Sequence, residues 1–75
     1  MNNTPRSPTT LKRMISIYTK SVNAIVRFNR PELINEPTGL TMKELEERQR
    51  KKLNNLKKEL KQNYNLTYNK YKLLN

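Results

Sequence analysis

The side chains that could do chemistry in this chain are few in kind. Its 75 residues contain no His, Cys, Asp or Trp, which excludes an imidazole base, a thiolate nucleophile, a disulfide and the usual zinc and haem ligand sets. For acid–base work there remain Glu32, Glu36, Glu44, Glu46, Glu47 and Glu59, with no neighbour of the kind that tunes a catalytic carboxyl. Gly39 is the only glycine, so there is no phosphate-cradling Gly loop and no nucleophile elbow. We therefore expect no enzyme: no catalytic residue, no metal, no cofactor and no small-molecule substrate. Positive charge, by contrast, is plentiful, with 16 Lys and Arg against 6 acids and a net charge of +10. The chemistry this supports is ionic recognition of a polyanion.

The order of the charges narrows that reading. Residues 1–31 carry six basic side chains and no acid, residues 32–47 carry five Glu against Lys43 alone, and residues 48–75 carry nine basic side chains against Glu59. Two basic segments flanking an acidic patch suit a helix–loop–helix that meets polyanion at both ends. The 11 Asn are dispersed and form no Gln/Asn tract, so AT-rich codon usage accounts for them better than a prion-like segment does.

Those charges need elements to position them. Thr9 and Thr10 after Pro8 signal a helix start, and Leu11, Met14, Ile15, Tyr18, Val22, Ile25 and Val26 then trace one face of a 3.6-residue period. On the opposite side stand Lys12, Ser16, Lys20, Asn23, Arg27 and Arg30, with Arg13 between. Pro31 ends the element, which predicts a basic amphipathic helix over 10–30 after an extended arm, 1–9. Residues 31–40 hold Pro31, Pro37 and Gly39 and form the turn. Pro31 to Ile34 could make one helical turn there, with Leu33 and Ile34 covering the gap between the halves.

The second helix, predicted over 41–63, opens with a T-x-x-E capping box at Thr41 and Glu44 and a hydrophobic staple spacing at Leu40 and Leu45. Glu44, Glu46 and Glu47 sit where the helix dipole favours anions, each with a base four residues on: Arg48, Arg50 and Lys51. Helix-start electrostatics explains this cluster better than a metal site does. Met42, Leu45, Leu53, Leu56, Leu60 and Tyr64 form a thin apolar stripe, with Gln49 at its missing site. Around it run Arg48, Arg50, Lys51, Lys52, Lys57, Lys58 and Lys61, a surface attractive to phosphate or a merely solvated one. Each stripe is thin enough to call for a partner surface, so the isolated chain is expected to be only partly helical.

The tail, 64–75, interleaves Tyr64, Tyr68 and Tyr71 with Lys70 and Lys72. Such tyrosines could stack on unpaired bases, or could extend the apolar stripe by packing. The fold class is thus all-α without a sheet: two basic amphipathic helices joined by a Pro/Gly turn, extended rather than a compact globule. The longest apolar run is Ala24–Val26, so no transmembrane segment is expected. The acid-free amphipathic start also has the character of an uncleaved mitochondrial targeting segment, which leaves the mitochondrial matrix and the cytoplasm both open.

Two functional classes fit. One is a structural RNA-binding component of a ribosome-like particle, with rRNA and neighbouring ribosomal proteins as partners in a large hetero-assembly. The other is a small accessory or assembly subunit of a protein complex, mitochondrial or otherwise, docking through its apolar stripes. The run Leu11-Lys12-Arg13-Met14 opening a basic helix, the later Arg27 and Arg30, the element Leu33-Ile34-Asn35-Glu36-Pro37-Thr38 and the long basic helix after it resemble the bacterial-type small-subunit ribosomal protein twenty-one family over approximately residues 11–62. The resemblance implies contact with small-subunit rRNA through Lys12, Arg13, Lys20, Arg27, Arg30 and the basic positions of the second helix.

Overall fold

The computed structural model describes residues 5–74. It contains helix α1 (Pro8–Phe28), strands β1 (Ile34–Asn35) and β2 (Leu40–Thr41), and helix α2 (Met42–Tyr64). The molecule is mainly helical, and its Cα radius of gyration of 13.8 Å exceeds the about 11 Å of a compact chain this long.

Helix α1 begins two residues before the expected start. The Ser7 hydroxyl accepts from the Thr10 amide at 3.2 Å and Pro8 occupies the first turn, where its missing N–H costs nothing. Both helices end on an asparagine in the left-handed region, Asn29 (φ 54°) and Asn65 (φ 55°). Asn tolerates this conformation better than other residues with a Cβ, and the amides of the two caps return to Ile25 and Lys61.

The connection is not the helical turn the sequence suggests. Ile34 pairs with Thr41 and Asn35 with Leu40 in a two-residue antiparallel ladder, a small sheet where none was expected. The turn between them is set by Asn35, whose side chain accepts from the Thr38 amide (3.2 Å) and hydroxyl (2.8 Å), and by Gly39 at φ 73°. This hairpin prevails because it serves the orphan amides at the start of α2: Met42 donates to the Leu33 carbonyl at 2.7 Å and Lys43 to that of Pro31 at 3.1 Å. Leu33 and Ile34 consequently lie exposed instead of closing the gap between the helices.

The two apolar stripes bury one another. Leu11, Ile15, Leu53, Leu56 and Leu60 form one cluster, with Val22 and Ile25 also buried and Met14, Tyr18 and Leu45 half-buried. The surface expected from a partner is therefore supplied within the chain, and the tail supplies more of it. Tyr64, Tyr68 and Leu73 pack on the same cluster. The tail is a strap that runs beside α1 and is pinned to both helices.

Candidate nucleic-acid interface

Asn23 is the main pin. Its amide nitrogen donates to the Lys72 carbonyl and its amide oxygen accepts from the Leu74 N–H, both at 2.8 Å, so one side chain satisfies two backbone groups of a segment without regular structure. Sequence periodicity put Asn23 on the exposed basic face, whereas the strap buries it to 7% exposure. Arg50 is the second pin, donating to the Leu74 carbonyl at 2.6 Å and to the Glu46 carboxylate at 2.8 Å. Tyr68 accepts from the Ser16 hydroxyl at 3.3 Å, and the Tyr64 hydroxyl donates to the Arg6 carbonyl at 2.6 Å.

With the strap in place, the outer side of α1 and the tail border an open groove of about 440 Å³ whose wall includes Lys12, Arg13, Lys20 and Lys70 together with Tyr68 and Tyr71. No acidic residue lines it, because neither segment contains one: the chain has no acid before Glu32 and none after Glu59. The Lys12 ammonium lies 5.8 Å from the Tyr68 ring centre, and those of Lys20 and Lys70 lie 4.6 and 5.5 Å from that of Tyr71. Solvent screens such contacts at an exposed site, so they orient the side chains more than they stabilise the fold. The nearby ammonium of Lys20, and more weakly that of Lys70, hold the Tyr71 hydroxyl below the usual tyrosine range despite an opposing desolvation effect. Arg13, Lys20 and Arg27 stand at seven-residue intervals, so they share one side of α1 and span about 21 Å along it.

The other sequence-predicted cations are not gathered there. Arg30 pairs with Glu32 at 3.2 Å on the surface. Arg50 faces the strap, and Lys57 borders the tail beside Leu60 and Tyr68. Lys52 lines a different groove with Arg6, Met14, Tyr18, Asn55 and Glu59. Arg48, Lys51, Lys58 and Lys61 are exposed at scattered positions around α2. Lys70, Tyr68 and Tyr71 belong with α1 through the path of the tail; their interleaved pattern is visible in the sequence, but their partners are not.

The expected capping box forms at Thr41 and Glu44. The Glu44 carboxylate accepts from the Thr41 amide and hydroxyl, both at 3.0 Å, and the Glu44 amide donates to the Thr41 hydroxyl at 3.1 Å. The backbone bond from Thr41, then the hydroxyl bond, hold the Glu44 carboxyl below the usual glutamate range, with a smaller contribution from Arg48. Glu46 pairs with Arg50 as its spacing predicts, while neither Glu44–Arg48 nor Glu47–Lys51 comes within ion-pair distance, the Glu44 carboxylate being engaged by Thr41.

Comparison with protein-family models, with curated proteins and with solved structures finds no match to this chain.

Proposed function

We propose that this protein is a structural RNA-binding component of a ribosome-like ribonucleoprotein particle. The observation that carries the reading is the acid-free groove and ridge on α1, where Lys12, Arg13, Lys20 and Lys70 surround two tyrosine rings in a chain of net charge +10. Cations without carboxylate partners keep their attraction for phosphate, and the outer residues of α1 align them along one edge. The strap packs along this edge and is held there by Asn23 on α1 and Arg50 on α2. Its neighbours in the particle would be rRNA and other proteins, in the mitochondrial matrix or the cytoplasm; the acid-free amphipathic α1 supports the former.

Filter binding of the full chain to structured RNA across a salt series tests the reading. Affinity should fall steeply with salt, and Arg13→Gln, Lys20→Gln and Arg27→Gln should each lower the logarithmic slope by roughly 0.7–0.9. Salt-independent or absent binding would reject it.

A second reading, an accessory subunit of a protein complex, is favoured by Phe28 and Ile34, which are 53% and 58% exposed, and by the shallow apolar depression that Phe28 forms with Ala24, Ile25 and Met42. It predicts co-purification with a few proteins from nuclease-treated extract, lost on Phe28→Ser and indifferent to the Lys→Gln changes.

A further inference from the structure

The three tyrosines of the tail are not equivalent. Tyr64 and Tyr68 are packed against the Leu11–Leu60 cluster and tied by their hydroxyls to Arg6 and Ser16. Tyr71 lies outside that cluster, half-exposed on the groove, and its ring is attended by the ammonium groups of Lys20 and Lys70. An aromatic ring so placed can exchange mobile ammonium groups for a stronger stacking partner, releasing them to bind phosphate. A double helix cannot stack on that ring, because its bases are already stacked on one another, while its phosphates can still meet the cations of the Arg13–Lys20–Arg27 ridge.

Building on the RNA-binding reading, we propose that this groove takes an unpaired nucleotide from a single-stranded RNA segment, with its base on Tyr71 and its flanking phosphates on Lys20, Lys70 and Arg13. The groove, of about 440 Å³, is open on its outer side, so a strand can lie along it with one base turned onto the ring. Its wall adds Ser16 and Thr9 as hydroxyl partners and contributes no carboxylate to repel phosphate. Sequence preference should be slight, since every base has a face to stack.

The test measures binding of the full chain to a short unstructured oligouridylate and to duplex RNA of the same length at one salt concentration. Tyr71→Ala should weaken oligouridylate binding by about fivefold to a hundredfold and leave duplex binding unchanged. Tyr71→Phe, which keeps the ring and removes the hydroxyl, should bind as the parent does. Lys20→Gln and Lys70→Gln should each lower the oligouridylate salt slope by about 0.7. Circular dichroism and the unfolding midpoint of Tyr71→Ala should match the parent, so that the loss reflects binding and not folding. If both RNAs bind and Tyr71→Ala affects neither, the nucleotide site is overturned while the RNA-binding reading stands. If no RNA binds, that reading falls and takes the site with it. Oligouridylate displaced by anionic phospholipid vesicles, with no dependence on Tyr71, would overturn the site in favour of a lipid surface.

Discussion

The two sides of the helix pair are built from the same kinds of residue and behave differently. On the strap side, the polar side chains of Asn23, Arg50 and Ser16 hold the tail, and the lysines and Arg13 that border it have no carboxylate partner among the described residues. On the open side, Arg6 has Glu59 at 3.5 Å, and the rest of the groove is lined by Met14, Tyr18, Leu56, Asn55 and Lys52. The contrast is one of arrangement and not of net charge: the acid-free groove arises where an acid-free tail is folded against an acid-free stretch of helix.

The largest expected effect removes both sides at once. Leu53 is fully buried between them, and Leu53→Ala should cost about 2–5 kcal/mol, against a total stability of about 4–11 kcal/mol for a chain this long. Urea unfolding should show the loss, with helix content and groove falling together.

Asn23→Ala separates the two sides. It strips two backbone groups of their partners, and the cost should be about 1–3 kcal/mol or the free energy of docking the strap, whichever is smaller. Hydrogen exchange checks this: the Leu74 amide should lose protection while the α2 amides keep theirs. Uniform loss of protection would mean that strap and helices form a single cooperative unit, and the comparison between the sides would dissolve.

Thr41→Ala acts at the end that both sides share and should cost about 1 kcal/mol near neutral pH by loss of the cap. The cost should depend on pH. Because Thr41 depresses the Glu44 carboxyl, the contribution of that carboxylate is fully present above the ordinary glutamate value and disappears as pH falls through the lower folded value. Unfolding followed from neutral pH into acid should show the gap between parent and variant narrowing as the Glu44 carboxylate is protonated, down to the part contributed by the bond from the Glu44 amide to the Thr41 hydroxyl, which does not titrate.

The smallest effect belongs to the open side. Glu59→Gln breaks a long, partly exposed ion pair and should change stability by less than about 1 kcal/mol, while freeing Arg6. If it also raises RNA affinity as much as Lys20→Gln lowers it, the open side shares in binding and the asymmetry is weaker than the geometry suggests.

Local signals in the sequence determined both helices, the capping box and the stripe residues from Leu11 to Leu60. Each rests on a pattern complete within a few residues: a hydroxyl three positions before a glutamate, or apolar side chains returning every 3.6. Pro31 placed the end of α1 to within two residues. The roles of the asparagines were not legible: periodicity put Asn23 on an exposed face and composition gave only their number, yet Asn29 and Asn65 end helices, Asn35 forms the turn and Asn23 holds the strap.

Only the tertiary structure decided where the tail goes, and with it the site. The same spacing of Tyr64, Tyr68 and Tyr71 fits a continued helix, but Asn65 turns the chain and Tyr68 then lies against Ser16, a residue 52 positions away. No local pattern encodes a pairing at that separation, because it depends on two helices first burying their stripes and leaving a line of contact for the strap to cover. The same step turned Asn23 from an apparent surface residue into a buried anchor, and it brought Lys70 to the cations of α1. Charge and helix were local properties of this chain, whereas the groove was made by packing.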